Sequence, residues 1–440
     1  NINQRTLANS LGISASYLNL IERNRRGLTV ALLLKLAELF NVDIAELNKQ
    51  SDVHMVSDLM ELFGDSLFAD FDLTNKDIED LAIENPEIGK SFIRLYDKYK
   101  SKNNERSDRD LKKTNQYVSS PEAGRPDEYM SDIISDYLQS NNNYFPSLEK
   151  AALRIRAEID LVGEELFQNL KSFAFNAFDL NVFFGDVEVG KSFYYDKNTN
   201  NLTLSGHSNS DGNVFHLAKH VGMLAAETEV DEIIKNADFE NEDIEVYLKP
   251  VLGRYVAASI LMPYDEILKI AKKTRYDIDV LSHHFRTSYE QICHRLTTLN
   301  KPEDSGIPFH FIRTDIAGNI SKRYSNSGIQ IPRYGGACPR WNIFTAFMQP
   351  GRINIQLSEM PDGEVYFCIA KSITKGVGHF GAPMRHFSIG LGCKYIHAKS
   401  MVYSDFIGNK NKTQIVPIGV NCRICPRKNC SERAFPLSIS

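Results

Sequence analysis

The residues best suited to chemistry lie at the end of the chain. Cys422, Cys425 and Cys430 fall in one short span, and Cys338 stands in the earlier run Gly335-Gly-Ala-Cys338-Pro-Arg-Trp341. Together these four can supply four thiolates to one metal centre. The CxxC pair Cys422 and Cys425 suits a tetrahedral zinc site, and a CxxC followed by Pro426 equally suits the loops that hold an iron-sulfur cubane. Spacing alone leaves zinc and iron-sulfur open. Disulfides are not expected, because the chain opens with neither a charged n-region nor an apolar h-region, which also points to a cytoplasmic protein. Cys293, Cys368 and Cys393 sit inside apolar runs and read as small buried hydrophobes.

A second set of chemical residues lies at the other end. From Gln4 to Asn24 the pattern is helix, glycine turn, helix: Leu7, Ala8 and Leu11 share one face, Gly12 permits the turn, and Ser14 caps a helix whose inward face is Leu18 and Ile21. Ala15, Ser16, Tyr17 and Asn19 would reach base edges of double-stranded DNA, Gln4 and Ser14 would belong to the same DNA-binding set, and Arg23, Arg25 and Arg26 are suited to phosphates. A third helix, Val30 to Phe40, would close this core through Leu33, Leu36, Ala37 and Phe40. The segment resembles the phage-repressor-like helix-turn-helix family, beginning at what would be that family's second helix. Such proteins read two half-sites, so a homodimer is expected.

The elements between must position these two ends. At 440 residues the chain divides into several domains; 24% charged residues and no long apolar stretch describe a globular protein without a membrane span, and a formal net charge of -5 argues against coating nucleic acid wholesale. The expected fold class is multidomain α+β: an all-α helix-turn-helix over 1–50, a helical linker region over 51–125, a central α+β domain over 126–300 and a sheet-containing domain with a Cys-ligated metal over 301–440. Residues 100–127, rich in Lys, Asn, Ser and Arg, read as a solvated hinge. Strands are expected within Phe173–Leu204 and then over Phe309–Thr314, Ile320–Tyr324, Gly351–Leu357, Val365–Ile369 and Phe387–Ile396, with a short helix at Trp341–Phe347.

In the central stretch His216 and His220 share a helix face. The context resembles the ImmA/IrrE-type zinc peptidases, whose helix carries Leu-Ala-His-Glu-x-Gly-His. Here Lys219, His220 and Met223 stand at those three positions, and Leu252 stands where a ligating glutamate would. The resemblance therefore implies a peptidase shell without its chemistry, and no enzyme.

Three further runs carry a more specific resemblance: Ala317-Gly-Asn-Ile-Ser-Lys322, Gly335-Gly-Ala-Cys338-Pro-x-Trp341-Asn, and Cys422-Arg-x-Cys425-x-Arg427-x-x-Cys430-x-x-Arg433-Ala-Phe-Pro436. With the N-terminal motif they resemble the short-chain fatty acyl regulators of bacteria, which control propionate, methylcitrate and glyoxylate pathway genes. That resemblance implies a transcription factor that senses acyl-coenzyme A in its central domain and carries a [4Fe-4S] cluster on Cys338, Cys422, Cys425 and Cys430. Arg340, Arg423, Arg427 and Arg433 would offset cluster charge or make salt bridges. For the coenzyme A phosphates and adenine the sequence offers Arg154, Arg156, Lys219, Arg254 and Tyr255. A redox-responsive or structural-zinc regulator that ignores acyl-coenzyme A, or a zinc metallopeptidase, are the other readings.

Overall fold

In the computed structural model, the described residues are 4–14, 17, 18, 32, 35, 51–68, 71, 73–112, 128–159, 166–187, 192–206, 210–237, 239, 243–333, 336–376, 384–407 and 415–436. Helix α1 (Gln4–Leu11) ends at Gly12, whose φ of +73° is the left-handed turn expected there. Ala8, Leu11, Leu18 and Leu32 form a small core. Leu32 was not among the expected core positions, and Ile21, Leu33, Leu36, Ala37 and Phe40 lie outside the described residues.

A helical arm follows: α2 (Ser51–Phe63), α3 (Asn75–Glu84) and α4 (Pro86–Lys112). Thr74 starts α3 with a reciprocal capping box to Asp77, and the bundle closes on Met55, Leu59, Ile78 and Ala82. Helix α4 continues to Lys112, into the stretch expected to be a hinge. Lys, Arg, Glu and Asp alternate there at helical spacings that support a solvated helix as readily as a loop.

The centre is built from α5 (Glu128–Ser140), α6 (Pro146–Glu158), α7 (Leu166–Phe178), β1 (Asn181–Gly185), β2 (Phe193–Asp196), β3 (Asn201–Ser205), α8 (Ser210–Ala225), α9 (Glu227–Asn236), α10 (Asp243–Leu261), α11 (Tyr264–Lys273), α12 (Ile278–Phe285) and α13 (Tyr289–Leu296). The three strands run in the order β1-β3-β2, with β1 and β3 parallel. The expected strand start at Phe173 is wrong: Phe173–Phe178 complete α7, because Leu170 and Ala174, four apart, are its buried face. Helices α8 and α10 pack closely, since a Cβ on Gly222 would stand 2.7 Å from Val256 and one on Gly253 2.7 Å from Met223. Ser288 caps α13 with Gln291, so α12 and α13 form a pair of short helices on either side of Thr287.

The C-terminal strands β4 (His310–Asp315), β5 (Ile320–Ser325), β6 (Asn354–Glu359), β7 (Val365–Lys375), β8 (Arg385–Lys394) and β9 (Ile415–Pro417) form one sheet in the order β5-β4-β8-β7-β6-β9. All neighbours are antiparallel except β9, which runs parallel to β6. A short helix, α14 (Asn342–Thr345), interrupts the strands where expected. One apolar core runs from Ile134 through the central helices to Phe309, Phe311, Phe367 and Leu391 of the sheet. Cys293, Cys368 and Cys393 are buried in these cores, as their sequence context required.

Candidate metal centre and sensing region

Strand β9 delivers the chain to the cysteine loop, and the loop is sewn to the Cys338 segment by backbone bonds. The Cys338 N–H donates to the Val420 carbonyl at 2.9 Å, and the Trp341 indole N–H donates to the Gly419 carbonyl at 2.9 Å. Asn421 accepts from the N–H groups of Arg423 and Ile424, closing the turn through Cys422. Gly419 is required here, because a Cβ would stand 2.7 Å from the Cys425 sulfur.

Cys338 and Cys425 are buried, Cys422 and Cys430 half-buried. Burial pushes the Cys338 thiol up and the nearby Cys422 and Cys425 sulfurs add to this, against the opposing N–H groups of Arg340 and Gly419. Cys338, Cys422 and Cys425 are thus brought within electrostatic reach of one another. Among the described residues, however, no three His, Cys, Asp or Glu side chains stand at metal-holding distances, so the thiols are neighbours rather than a closed ligand set. The donor chemistry fits a thiolate-bound metal: several thiols, half to fully buried, with backbone N–H groups directed at sulfur.

Each of the four arginines has a defined contact. Arg433 donates to the carbonyls of Cys422, Cys425 and Arg427 at 2.6, 2.7 and 2.7 Å, holding the turn from inside. Arg427 donates to the carbonyls of Ile418, Glu359 and Met360 and pairs with the Glu359 carboxylate. Arg340 pairs with Glu432, and Arg423 lies over the Phe435 ring.

Two contacts that sequence spacing did not reveal tie this region to the helical arm. Ile424, between the paired cysteines, packs into the Met55, Leu59, Ile78 and Ala82 core and lies beside Gly64. Arg333, a few residues before Cys338, is buried among carboxylates of three helices: Asp58 of α2 at 3.0 Å, Asp97 of α4 at 3.3 Å, and Asp132 and Asp136 of α5 at 3.3 and 3.1 Å. Its N–H also donates to Glu61 at 2.6 Å.

In the centre, His216 lies against Phe193 and His220 against Tyr195, while Lys219 sits over Phe193. Burial, with Lys219 beside it, lowers the His220 pKa to about 4, so its ring is neutral. Met223 packs on Gly253 and Leu252 is fully buried, so apolar packing occupies the positions a zinc peptidase would use for ligands.

The five residues expected at coenzyme A do not form one cluster. Arg154 pairs with Glu229 and donates to the Ala225 carbonyl; Arg156 donates to the Ile260 carbonyl and pairs with Glu266. Tyr255, expected at coenzyme A, is buried instead. Its hydroxyl donates to Glu149 at 2.7 Å and accepts the Phe145 N–H at 3.2 Å, because α10 turns that position toward α6. A shallow depression of ≈ 430 Å³ lies nearby on α6 and α7, lined by Glu158, Asn169, Phe173 and Asn176 among others, and none of the five lines it.

Positive charge gathers at a place the sequence did not mark. Burial disfavours the charge on Glu290, yet Lys322, Lys375 and Arg313 hold its carboxyl well below the usual range. Lys322 is pushed down to about 8 by burial, with Glu290 opposing and Arg313 and Arg254 adding to the fall. The cations lie on β4, β5, β7 and α10, and their convergence is visible only once the sheet is formed.

At the DNA end, Tyr17 donates its N–H to the Ser14 hydroxyl at 3.1 Å, the expected cap, and Gln4 begins α1. Ala15, Ser16, Asn19, Arg23, Arg25 and Arg26 lie outside the described residues. Among the described residues no helix is long and apolar enough to cross a membrane.

Comparison with known proteins assigns these parts. The model "Helix-turn-helix" matches residues 1–47, "IrrE N-terminal-like domain" matches 175–297, and "Short-chain fatty acyl coenzyme A regulator, C-terminal" matches 298–439. The chain is 33% identical to the HTH-type transcriptional regulators RamB and PrpR of Mycobacterium tuberculosis, over 98% and 99% of its length and 91% and 89% of theirs. It is 32% identical to the propionyl-CoA carboxylase regulator of Cereibacter sphaeroides, over 99% of this chain and 91% of that one. A solved Mycobacterium tuberculosis transcriptional regulator superposes with a TM-score of 0.67 at 34% identity, covering 70% of this chain and 94% of its own. Fold and relatives define a helix-turn-helix transcriptional regulator with a peptidase-like centre. The chain belongs to the short-chain fatty acyl coenzyme A regulator family.

Proposed function

We propose that this regulator controls genes of short-chain fatty acid metabolism, propionate and acetate among them, by coupling acyl-coenzyme A binding in its centre to DNA binding at its N-terminus, with a [4Fe-4S] cluster held by Cys338, Cys422, Cys425 and Cys430. The observation that carries the reading is the seating of Ile424 in the core of the helical arm, because the cysteine loop and the segment leading to the DNA-binding end then share one packing unit. The relatives' names support the metabolic assignment. When bound, the cluster would supply a redox-sensitive covalent tie between the sheet and its tail. Arg433 and Arg427 would hold the loop's carbonyls, and Asn421 its turn, so that the thiols stay directed inward.

The acyl-coenzyme A phosphates require cations, and around Glu290 the cations Lys322, Lys375 and Arg313, with Arg254 of α10 beside them, outnumber the one carboxylate. An effector bound there bears on both the helices and the sheet. Coupling of this kind typically amounts to about 1–3 kcal/mol, or about 5- to 150-fold in operator affinity.

The test is calorimetric titration of anaerobically purified full chain with propionyl-, acetyl- and free coenzyme A, alongside fluorescence anisotropy on a DNA site selected in vitro. Saturable heat with propionyl-coenzyme A and a changed DNA affinity is expected. Absence of heat with undisturbed DNA binding would reject acyl-coenzyme A sensing and leave a regulator that responds through its cysteines.

A further inference from the structure

Four apolar side chains stand in the open along one stripe of α4. Ile88 is 49% exposed, Phe92 38%, Leu95 65% and Tyr99 42%. Their spacing of four, three and four residues is that of alternating d and a positions in a heptad, the seam that one helix presents to another. Ile83, near the end of α3, is exposed too. The opposite face of α4 is already committed: Gly89 lies against Leu59 and Met55, Ile93 joins the arm's core, and Asp97 pairs with Arg333. A contiguous exposed apolar stripe on a helix so anchored marks a contact surface.

We propose that this stripe is where two copies of the chain pair, α4 against α4, antiparallel. The stripe is palindromic: about a two-fold axis near residues 93 and 94, Ile88 faces Tyr99 of the other copy and Phe92 faces its Leu95. One surface therefore serves both partners, as two-fold pairing requires. Charge favours the same direction. Glu84 and Glu87 lie toward one end of the stripe, with Lys90 paired to Glu87 at 2.8 Å, and Arg94 and Lys98 lie toward the other. Antiparallel pairing sets each acidic end beside the partner's basic end, whereas parallel pairing sets like against like. The arm follows the helix-turn-helix in the chain, so pairing here would mount two reading heads on one platform. The pairing depends on neither the cluster nor the effector.

Sedimentation of the full chain across the micromolar range tests this. Wild type is expected as a dimer, and Leu95→Glu as a monomer with unchanged circular dichroism, its dissociation constant raised about 30-fold or more. Lys98→Glu should weaken the dimer, and Glu84→Lys added to it should restore it. A dimer that survives Leu95→Glu overturns the assignment. So does a monomeric wild type, and a melting temperature that then falls in Leu95→Glu would give the stripe to another segment of the same chain. A dimer indifferent to Lys98→Glu overturns the antiparallel arrangement.

Discussion

Arg333→Met is expected to lower the unfolding free energy by about 3–5 kcal/mol near pH 8, because it strips the shared cation from a set of buried carboxylates. Arg333 contacts Asp58, Asp97, Asp132 and Asp136, and the neighbouring cation Arg323 is already engaged with Asp132 at 2.8 Å. Asp136 is half exposed and contributes least. Even with Arg333 present, burial pushes Asp58 up and raises Asp132 to about 6. A carboxyl whose folded pKa lies above its unfolded value binds its proton more tightly when folded, so the native state loses stability as pH rises from about 4 through 6. Without Arg333 these values rise further. The variant's deficit is therefore largest at pH 8 and shrinks toward pH 5, and Arg333→Lys, lacking the planar fork, recovers it only in part. Melting temperatures at the two pH values check this, and an unchanged melt at pH 8 would reject the role.

Glu149→Ala is expected to cost a similar amount, about 3–5 kcal/mol, or roughly 6–20 °C in melting temperature. Arg295 is fully buried and makes a bidentate pair with Glu149 at 2.7 and 2.9 Å, while also donating to the Met262 carbonyl and the Thr298 hydroxyl. Removing the carboxylate leaves a guanidinium that cannot shed its proton in the core, and it deprives the Tyr255 hydroxyl of its acceptor. The pair joins α6 to α13 across the whole central region, so the loss should appear as one cooperative shift in calorimetry. A separate low-temperature transition, with the main one unmoved, would contradict it.

What the sequence made legible was local. The Gly12 turn, the Ser14 cap and the alternation of the C-terminal strands each depend on residues a few positions apart, and each is where the spacing put it. What stayed hidden was assembled from distant parts. Ile424 reads as an ordinary apolar residue between two cysteines until Leu59 and Ala82 come up beside it. The carboxylates around Arg333 are scattered from Asp58 to Asp136. Phe173 to Phe178 looked like a strand because aromatic residues favour strands, and the burial of Leu170 with Ala174 decided for helix. Strand β9 escaped notice because three residues carry no period, and its place is set by pairing with β6. Tyr255 stands beside Arg254 in sequence, yet neighbours on a helix face different ways, and its hydroxyl goes to Glu149.

The proposed [4Fe-4S] cluster would sit in a cysteine loop tied to the helical arm through Ile424. The most direct measurement is iron, acid-labile sulfide and zinc per chain on protein purified without oxygen, beside a Cys422→Ser variant. About four iron and four sulfide per wild-type chain are expected, and their loss in the variant; one tightly held zinc without sulfide, or metal content indifferent to Cys422→Ser, would contradict a cluster on these thiols.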